Sequence, residues 1–338
     1  MKFTITDTMH PDLSFEEHES AGIGLDFASH RLRTAGPREL IAAVHDSDVV
    51  LIDQARFDRQ VVEGLARCRL LLRHGIGYDN VDVLACTERG IVVGYYPTFC
   101  VRDVAEQTVT LMMACRRRLT SQIDNLRRVD HGGYWDIPNV SPMHRIEHAT
   151  IGIVGFGRIG RAVDALLRSF GVRILVSDPY LPADMRAALG DSLVDFEYLL
   201  GESDIVTVHV PFKDVPHDTF HMFDDAEFRL MKSTAILLNT SRGPVVNLDA
   251  LDAALREGII AGAGIDVYEQ EPPPASLPLL GNPRAICTPH LAWYSQESTM
   301  SIRRFYMEDV RRFVAGELPV HQVNAEITRY RTIDAGSC

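Results

Sequence analysis

Short apolar runs recur along the chain, and the segments between them carry helical periodicity. The first series is KFTITD (2–7), GIGLDF (22–27), DVVLID (48–53), LLLRHG (70–75) and IVVGYY (91–96). Helical patterns such as PRELIAAVHDS (37–47) and NVDVLACTERG (80–90) lie between them. The second series is TIGIVGFG (150–157), RILVSD (173–178), DIVTVHV (204–210), AILLNTS (235–241), GAGIDV (262–267) and RAICTP (284–289). These runs are rich in Val and Ile and are bounded by Gly, Asp or Pro. Strands of this kind alternating with helices predict parallel sheets covered on both faces. The amphipathic stretch DVAEQTVTLMMACRRRL (103–119) predicts a long helix between the two series. A last helix is expected over 295–316, stopping at Gly316, and the tail TRYRTIDAGSC (328–338) is expected to be loosely held.

A length of 338 residues suits two domains and a sizeable core. The six cysteines, at 68, 86, 100, 115, 287 and 338, form no CxxC pair. Neither a disulfide framework nor a zinc site is therefore expected, and reduced thiols in the cytoplasm fit better. The net charge of −12, from 34 basic and 46 acidic residues, disfavours nucleic-acid binding. The one basic run, CRRRLTSQIDNLRR (115–128), reads as a solvated helix face or a subunit contact. The first residues contain no apolar core of a signal peptide, and no later run approaches a membrane span.

Candidate chemistry begins at TIGIVGFGRIG, where Gly155, Gly157 and Gly160 stand in G-x-G-x-x-G spacing between an apolar strand and an amphipathic helix. A second strand then ends at Asp178, close to where such a fingerprint places an acidic residue. Gly155 permits a tight turn, Gly157 lets backbone approach a pyrophosphate, and Gly160 lets helix and strand pack closely. The amides of Arg158 and Ile159 face the phosphates at a positive helix end. Asp178 accepts the ribose hydroxyls and repels a 2′-phosphate, so NAD is expected over NADP.

Further strand ends in the second series carry polar residues. LLNTSRGPVVN places Arg242 after a strand, GIDVYEQEPP places Asp266 within one and Glu271 beyond it, and ICTPHLAW places His290 after the last. Ligands of open parallel sheets bind outside the carboxyl ends of the strands. Hydride transfer to a ketone needs a proton for the developing alkoxide, which an imidazole supplies near neutral pH. A carboxylate beside that imidazole orients it and favours its charged form. A guanidinium holds a substrate carboxylate and polarises the neighbouring carbonyl. His290, Glu271 and Arg242 fill these three roles. His209, Val210, Pro211 and Thr240, at other strand ends of the series, are expected to contact the cofactor.

The ordered motifs GIVGFGRIG, NTSRGPVVN, GIDVYEQEP and CTPH resemble the D-isomer-specific 2-hydroxyacid dehydrogenase family over nearly the whole chain. The resemblance implies a catalytic Arg242, Glu271 and His290, with Asp266 at the nicotinamide end of the cofactor. It implies two Rossmann-like doubly wound parallel-sheet domains, the NAD-binding one (101–296) inserted into a flavodoxin-like substrate domain (1–100 and 297–338). It also implies a homodimer formed through the cofactor domain. LLRHGIGYDNVDV (71–83) is similar to the family's substrate loop, so the amides of Ile76 and Gly77 would cradle a substrate carboxylate. Arg73 stands where some members carry a second cation. Glu271, where formate dehydrogenases of this superfamily have Gln, argues against formate. Phosphite dehydrogenases share the Arg-Glu-His set.

DPYLPADMRAALG and CTPHLAWYS resemble one subgroup, the NAD-dependent C-terminal binding proteins and their dehydrogenase relatives. There the Trp matching Trp293 lines the substrate pocket, which would favour 2-keto acids with apolar or thioether side chains. Tyr95 departs from the family's usual Asn, and Tyr95, Tyr96 and Phe99 either crowd the substrate or pack. Two further functions are weighed beside a 2-keto acid reductase. One is an NAD(H)-gated corepressor-like binding protein, disfavoured because nothing resembles the subgroup's long disordered tail. The other is a reductase for a phosphorylated or phosphorus-containing acid, which needs a second cation cluster, with His74 and Arg102 as its candidates.

Overall fold

Residues one apart along a strand face opposite sides of a sheet, and in the inner strands of the first series both sides are dry. In the computed structural model, which describes residues 1–127, 142–212 and 219–331, the chain divides into two compact units, Met1–Phe99 with Ser295–Cys338, and Cys100–Tyr294. The last residue of the basic run 115–128 and the end of the tail, 332–338, lie outside the described residues.

The first unit runs β1 (Lys2–Ile5), α1 (Ser14–Gly22), β2 (Asp26–Ser29), α2 (Pro37–Val44), β3 (Val49–Ile52), α3 (Arg59–Glu63), β4 (Leu70–Arg73), α4 (Val83–Glu88) and β5 (Val92–Gly94). The five strands are parallel in the order β2-β1-β3-β4-β5. Val50, Ile52, Leu71 and Val93 bury one face with residues of α2, α3 and α4. Phe3, Ile5, Val49, Leu51, Leu70, Leu72 and Val92 bury the other against Ile302, Tyr306, Val310 and Phe313. Those four belong to the last long helix of the chain, Gln296–Val314, which closes this unit.

The second unit runs α5 (Val101–Arg116), α6 (Leu119–Arg127), β6 (Thr150–Val154), α7 (Arg158–Leu167), β7 (Arg173–Ser177), α8 (Ala183–Leu189), α9 (Phe196–Glu202), β8 (Ile205–Val208), α10 (Asp225–Leu230), β9 (Ile236–Asn239), α11 (Leu248–Glu257), β10 (Gly262–Ile265) and β11 (Ala285–Cys287), and the closing helix of the first unit is α12. Its six strands are parallel in the order β11-β10-β9-β8-β6-β7. In both sheets the order reverses beside the first strand, between β1 and β3 and between β6 and β8. A crevice opens at such a point outside the carboxyl ends of the strands. No helix among the described residues is long and apolar enough to cross a membrane.

Two expectations shift in detail. The segment 22–27 is not one strand: α1 runs to Gly22 and β2 begins at Asp26, an edge strand with half-exposed side chains and so no clear apolar signal. The helix expected to reach residue 119 ends at Arg116. Arg118, at φ 45°, turns the chain and α6 starts anew. The final strand of the first sheet is covered by the segment after α12. Asn324 accepts from Val93 N at 2.9 Å and donates to Ile91 O at 2.9 Å and Thr87 Oγ1 at 3.1 Å, while Val323 N donates to Val93 O.

Asn324 is buried, so its loss leaves both backbone groups of β5 and its approach without partners. Asn324→Ala is expected to lower stability by about 1–3 kcal/mol. Urea denaturation should show a lower midpoint with an unchanged slope.

Candidate active site

The glycine loop begins where β6 ends. Gly155 has φ 89°, and a Cβ on it would lie 2.7 Å from the carbonyl oxygen of His209. A Cβ on Gly160 would lie 2.3 Å from Gly155 O, so α7 can sit this close to the strand only with glycine there. Gly157 caps α7 with open space beside it and no side-chain cap. The first-turn amides of Arg158 and Ile159 have no acceptor within the helix and lie at its positive end. Asp178, one residue past β7, accepts from Phe156 N at 2.8 Å and Tyr180 N at 3.0 Å, tying the loop to the neighbouring strand end.

His209, Val210 and Pro211 follow β8 directly. His209 N donates to Val154 O at 2.7 Å, and its Nε2 lies 2.9 Å from Thr207 Oγ1. Burial pushes this imidazole down to about 3, so it is neutral. Its Nδ1 is buried and without a partner among the described residues. Thr240, past β9, shares its hydroxyl with Thr108 of α5 at 2.8 Å. The uncapped helix end, the close-packed glycines, the acid at the second strand and the orphaned His209 nitrogen surround the point where the strand order reverses. This donor set fits a dinucleotide.

A second constellation stands at the ends of β9, β10 and β11. Asn239, the last residue of β9, accepts from Ser241 N and Oγ and donates to Arg242 O at 2.9 Å, which shapes the turn that carries Arg242. A Cβ on Gly243 would lie 1.9 Å from Tyr268 C and 2.0 Å from its oxygen. Only glycine lets this turn press against the backbone that leads to Glu271. Glu271 accepts from Tyr268 N at 3.0 Å and from His290 Nδ1 at 2.6 Å. Burial alone would push the Glu271 carboxyl up. The hydrogen bond and charge of His290, the Tyr268 amide and the charge of Arg242 outweigh it and hold the carboxyl below its ordinary value.

His290 sits at φ 52°, a conformation rare for any residue but glycine. Asp266 holds it there. Its carbonyl accepts from His290 N at 2.8 Å, and its carboxylate accepts from Thr288 Oγ1 at 2.5 Å, Leu291 N at 3.1 Å and Ala292 N at 2.8 Å. Asp266 is fully buried, with both carboxylate oxygens engaged. In this structure it anchors the turn. Trp293 lies on the same turn, half-buried and edge-on to Tyr294 at 5.7 Å.

In the first unit, Arg73 ends β4 and its Nη1 donates to His74 O at 2.8 Å. Ile76 and Gly77 follow, both partly exposed, and among the described residues their amides donate to no protein acceptor. Of the aromatic residues after β5, Tyr96 is buried in the core and Phe99 packs against it. Tyr95 meets Tyr78 edge-on at 5.6 Å. Asn239 and the Asp266 anchor are absent from the candidate roles read from the sequence. The Asn239 turn has a local signal, an Asn closing an apolar strand with Ser two residues on.

A family model described as D-isomer specific 2-hydroxyacid dehydrogenase, NAD binding domain, matches residues 109–292. The chain belongs to this family. Membership makes it an NAD-dependent oxidoreductase that interconverts 2-keto and 2-hydroxy acids. The chain is 38% identical over 296 residues to a glyoxylate reductase of Korarchaeum cryptofilum, covering 86% of this chain and 87% of the relative. It is 32% identical over 326 residues to a D-3-phosphoglycerate dehydrogenase of Methanocaldococcus jannaschii, covering 96% of this chain and 59% of that one. The crystal structure of the TT0316 protein from Thermus thermophilus superposes with a TM-score of 0.83 at 28% identity, covering 96% of this chain and 100% of that one.

In this 2-hydroxyacid dehydrogenase the Asp266 carboxylate needs all its donors, because a buried charge without them is costly. Asp266→Asn turns an acceptor into a donor facing the amides of the 288–292 turn. A stability loss of about 1–3 kcal/mol is expected. The unfolding midpoint in denaturant measures it, and an unchanged midpoint would contradict the anchoring role.

Proposed function

We propose that this dehydrogenase reduces a small, unphosphorylated 2-keto acid to its D-2-hydroxy acid, with His290 as proton donor, Glu271 as its orienting partner and Arg242 as the group that holds and polarises the substrate. The observation that carries this reading is the 2.6 Å His290 Nδ1–Glu271 hydrogen bond beside the charge of Arg242. With Nδ1 bound to the carboxylate, Nε2 of the imidazolium carries the proton that is given up. Glu271 fixes the orientation of the ring, so that Nε2 is the nitrogen left for the proton transfer. Arg242 offers a planar fork of donors to the carboxylate and the developing oxyanion. When bound, the reduced nicotinamide supplies the hydride.

The glycine loop and the amides of Arg158 and Ile159 would hold the pyrophosphate, and Asp178 the ribose. Its negative charge disfavours a 2′-phosphate, so NADH is the proposed reductant over NADPH. The amides of Ile76 and Gly77 would take the substrate carboxylate, and Trp293 would form an aromatic wall of the pocket, the feature that points toward the C-terminal binding protein-like subgroup. His74, one of two cations considered for a second anion, is buried and pushed down to about 4 by that burial. A neutral ring there adds no positive charge for a phosphate, and the other candidate, Arg102, is an exposed residue at the start of α5, which supports an unphosphorylated substrate.

The checking experiment follows NADH oxidation across glyoxylate, pyruvate, bulkier apolar 2-keto acids and a phosphorylated one, with NADPH as the comparison. Turnover of the unphosphorylated acids with NADH is expected. His290→Ala should lose about 10²–10⁴-fold in kcat, the usual worth of a positioned general acid. Undiminished turnover in that variant would rule out the assigned proton donor.

We further propose a homodimer formed through the NAD-binding unit. Leu119, Ile123 and Leu126 of α6 are 46%, 41% and 57% exposed. Their spacing places them on one helix face, and an exposed apolar face of this kind suits a partner copy. Sedimentation should give a dimer for the wild type and a monomer for the double variant Ile123→Glu, Leu126→Glu. A monomeric wild type would refute it.

A further inference from the structure

Three loops at the carboxyl ends of neighbouring strands in the first unit meet at a pair of imidazoles. His74 follows β4 and is 6% exposed, and His10 lies in the loop after β1. Their Nε2 atoms are 3.1 Å apart, with the rings edge-on and centroids 5.2 Å apart. Such a contact is a hydrogen bond only when one nitrogen carries a proton and the other does not. Burial pushes both rings down to about 4, so both are neutral in the physiological range and the contact can form.

Two further groups neighbour the His74 ring. Its Nδ1 lies 3.8 Å from Asp53 Oδ1, and its ring centroid lies 5.9 Å from that of Tyr306 on α12. Asp53 opens a loop anchored by Asp7, whose carboxylate accepts the amides of Asp53, Gln54 and Ala55 at 3.2, 2.6 and 3.0 Å. The Tyr306 hydroxyl donates to Glu16, which also accepts from Arg303 at 2.7 and 2.6 Å. The backbone around His74 is fixed as well. His74 N donates to Ile52 O at 2.8 Å, Arg73 Nη1 donates to His74 O at 2.8 Å, and Tyr96 N donates to Gly75 O at 3.0 Å. With the ring and both flanking peptides held, the direction of the next amides follows.

We propose that the His10–His74 pair positions the anion cradle, holding the amides of Ile76 and Gly77 in the orientation that receives the substrate carboxylate and thereby setting the KM for 2-keto acids. This rests on the reading of those two amides given above. Both histidines act through the backbone of the loop and are positioning residues. The carboxylate does not change charge during the reaction. Contacts to it are equally strong in the ground and transition states, so their weakening raises KM and spares kcat. A pair that merely stabilised the fold would lower the unfolding midpoint without separating the two constants.

The test uses the full-length enzyme with NADH and with glyoxylate and pyruvate as probes. His10→Leu leaves His74 Nε2 without its partner and is expected to raise KM about tenfold, with kcat within about twofold and NADH affinity unchanged. His10→Gln keeps a side-chain donor and acceptor and is expected to stay within about threefold of the wild-type KM. Equal KM values in wild type and His10→Leu would overturn the proposal, as would a matched effect of Leu and Gln. If His10→Leu does not fold, His10→Thr must show the KM rise instead, and its absence there overturns the proposal too. Wild-type turnover with unmoved KM values in the variants sinks this inference alone. A wild type that turns over no 2-keto acid sinks the functional reading together with it.

Discussion

A carboxylate taken wholly out of water is stable only if hydrogen-bond donors replace its hydration, and the second unit is arranged around one such group. Asp266 leaves the end of β10 fully buried and finds its donors in a single turn, the Thr288 hydroxyl and the amides of Leu291 and Ala292. That turn cannot relax without stranding the charge, which would cost several kcal/mol. The constraint sustains the left-handed backbone of His290, itself worth of order 1–3 kcal/mol of strain. The imidazole is thereby brought to Glu271. Glu271 is in turn set by the Tyr268 amide, and the Tyr268 backbone is where the Gly243 turn presses. Arg242, Glu271 and His290 come from three strand ends, and their relative placement follows from one buried charge and one backbone-to-backbone contact.

Much of this architecture is legible in the sequence, for a physical reason. Strands of a parallel sheet are buried on both faces, so β3, β4, β6, β8 and β9 stand out as apolar runs, and their ends are marked by the residue types that do chemistry. β2 is not legible as drawn, because an edge strand with half-exposed side chains lacks that run. The break between α5 and α6 rests on one positive φ at Arg118, a residue type that gives no warning of it. Among the site residues, the glycine loop, Arg242, Glu271 and His290 each sit in a local motif. Asp266 is visible as a residue, but its task is not, since its partners lie more than twenty positions along the chain. The His10–His74 pair spans sixty-four positions with no pattern at either end, and only the fold brings the rings together.

The two units hold their loops in different ways, and the difference bears on what each can bind. In the second unit a fixed buried charge aims the imidazole proposed as proton donor. In the first, the loop proposed to receive an anion stands above Asp7, Asp53 and Glu16, which would repel it if left uncompensated. Asp7 is screened by the donors it accepts, and Glu16 by the Arg303 fork. Burial pushes Asp53 up to about 6, and the charge of Arg73 opposes that rise. Protonation of both rings would break the contact, since two imidazolium rings offer only donors. A neutral pair fixes the backbone and adds no charge of its own. Amide dipoles suit a single carboxylate, whereas a phosphate bearing nearly two charges calls for several cations. The neutrality of the imidazole pair therefore supports the proposed substrate, whose one anionic group is the carboxylate next to the carbonyl.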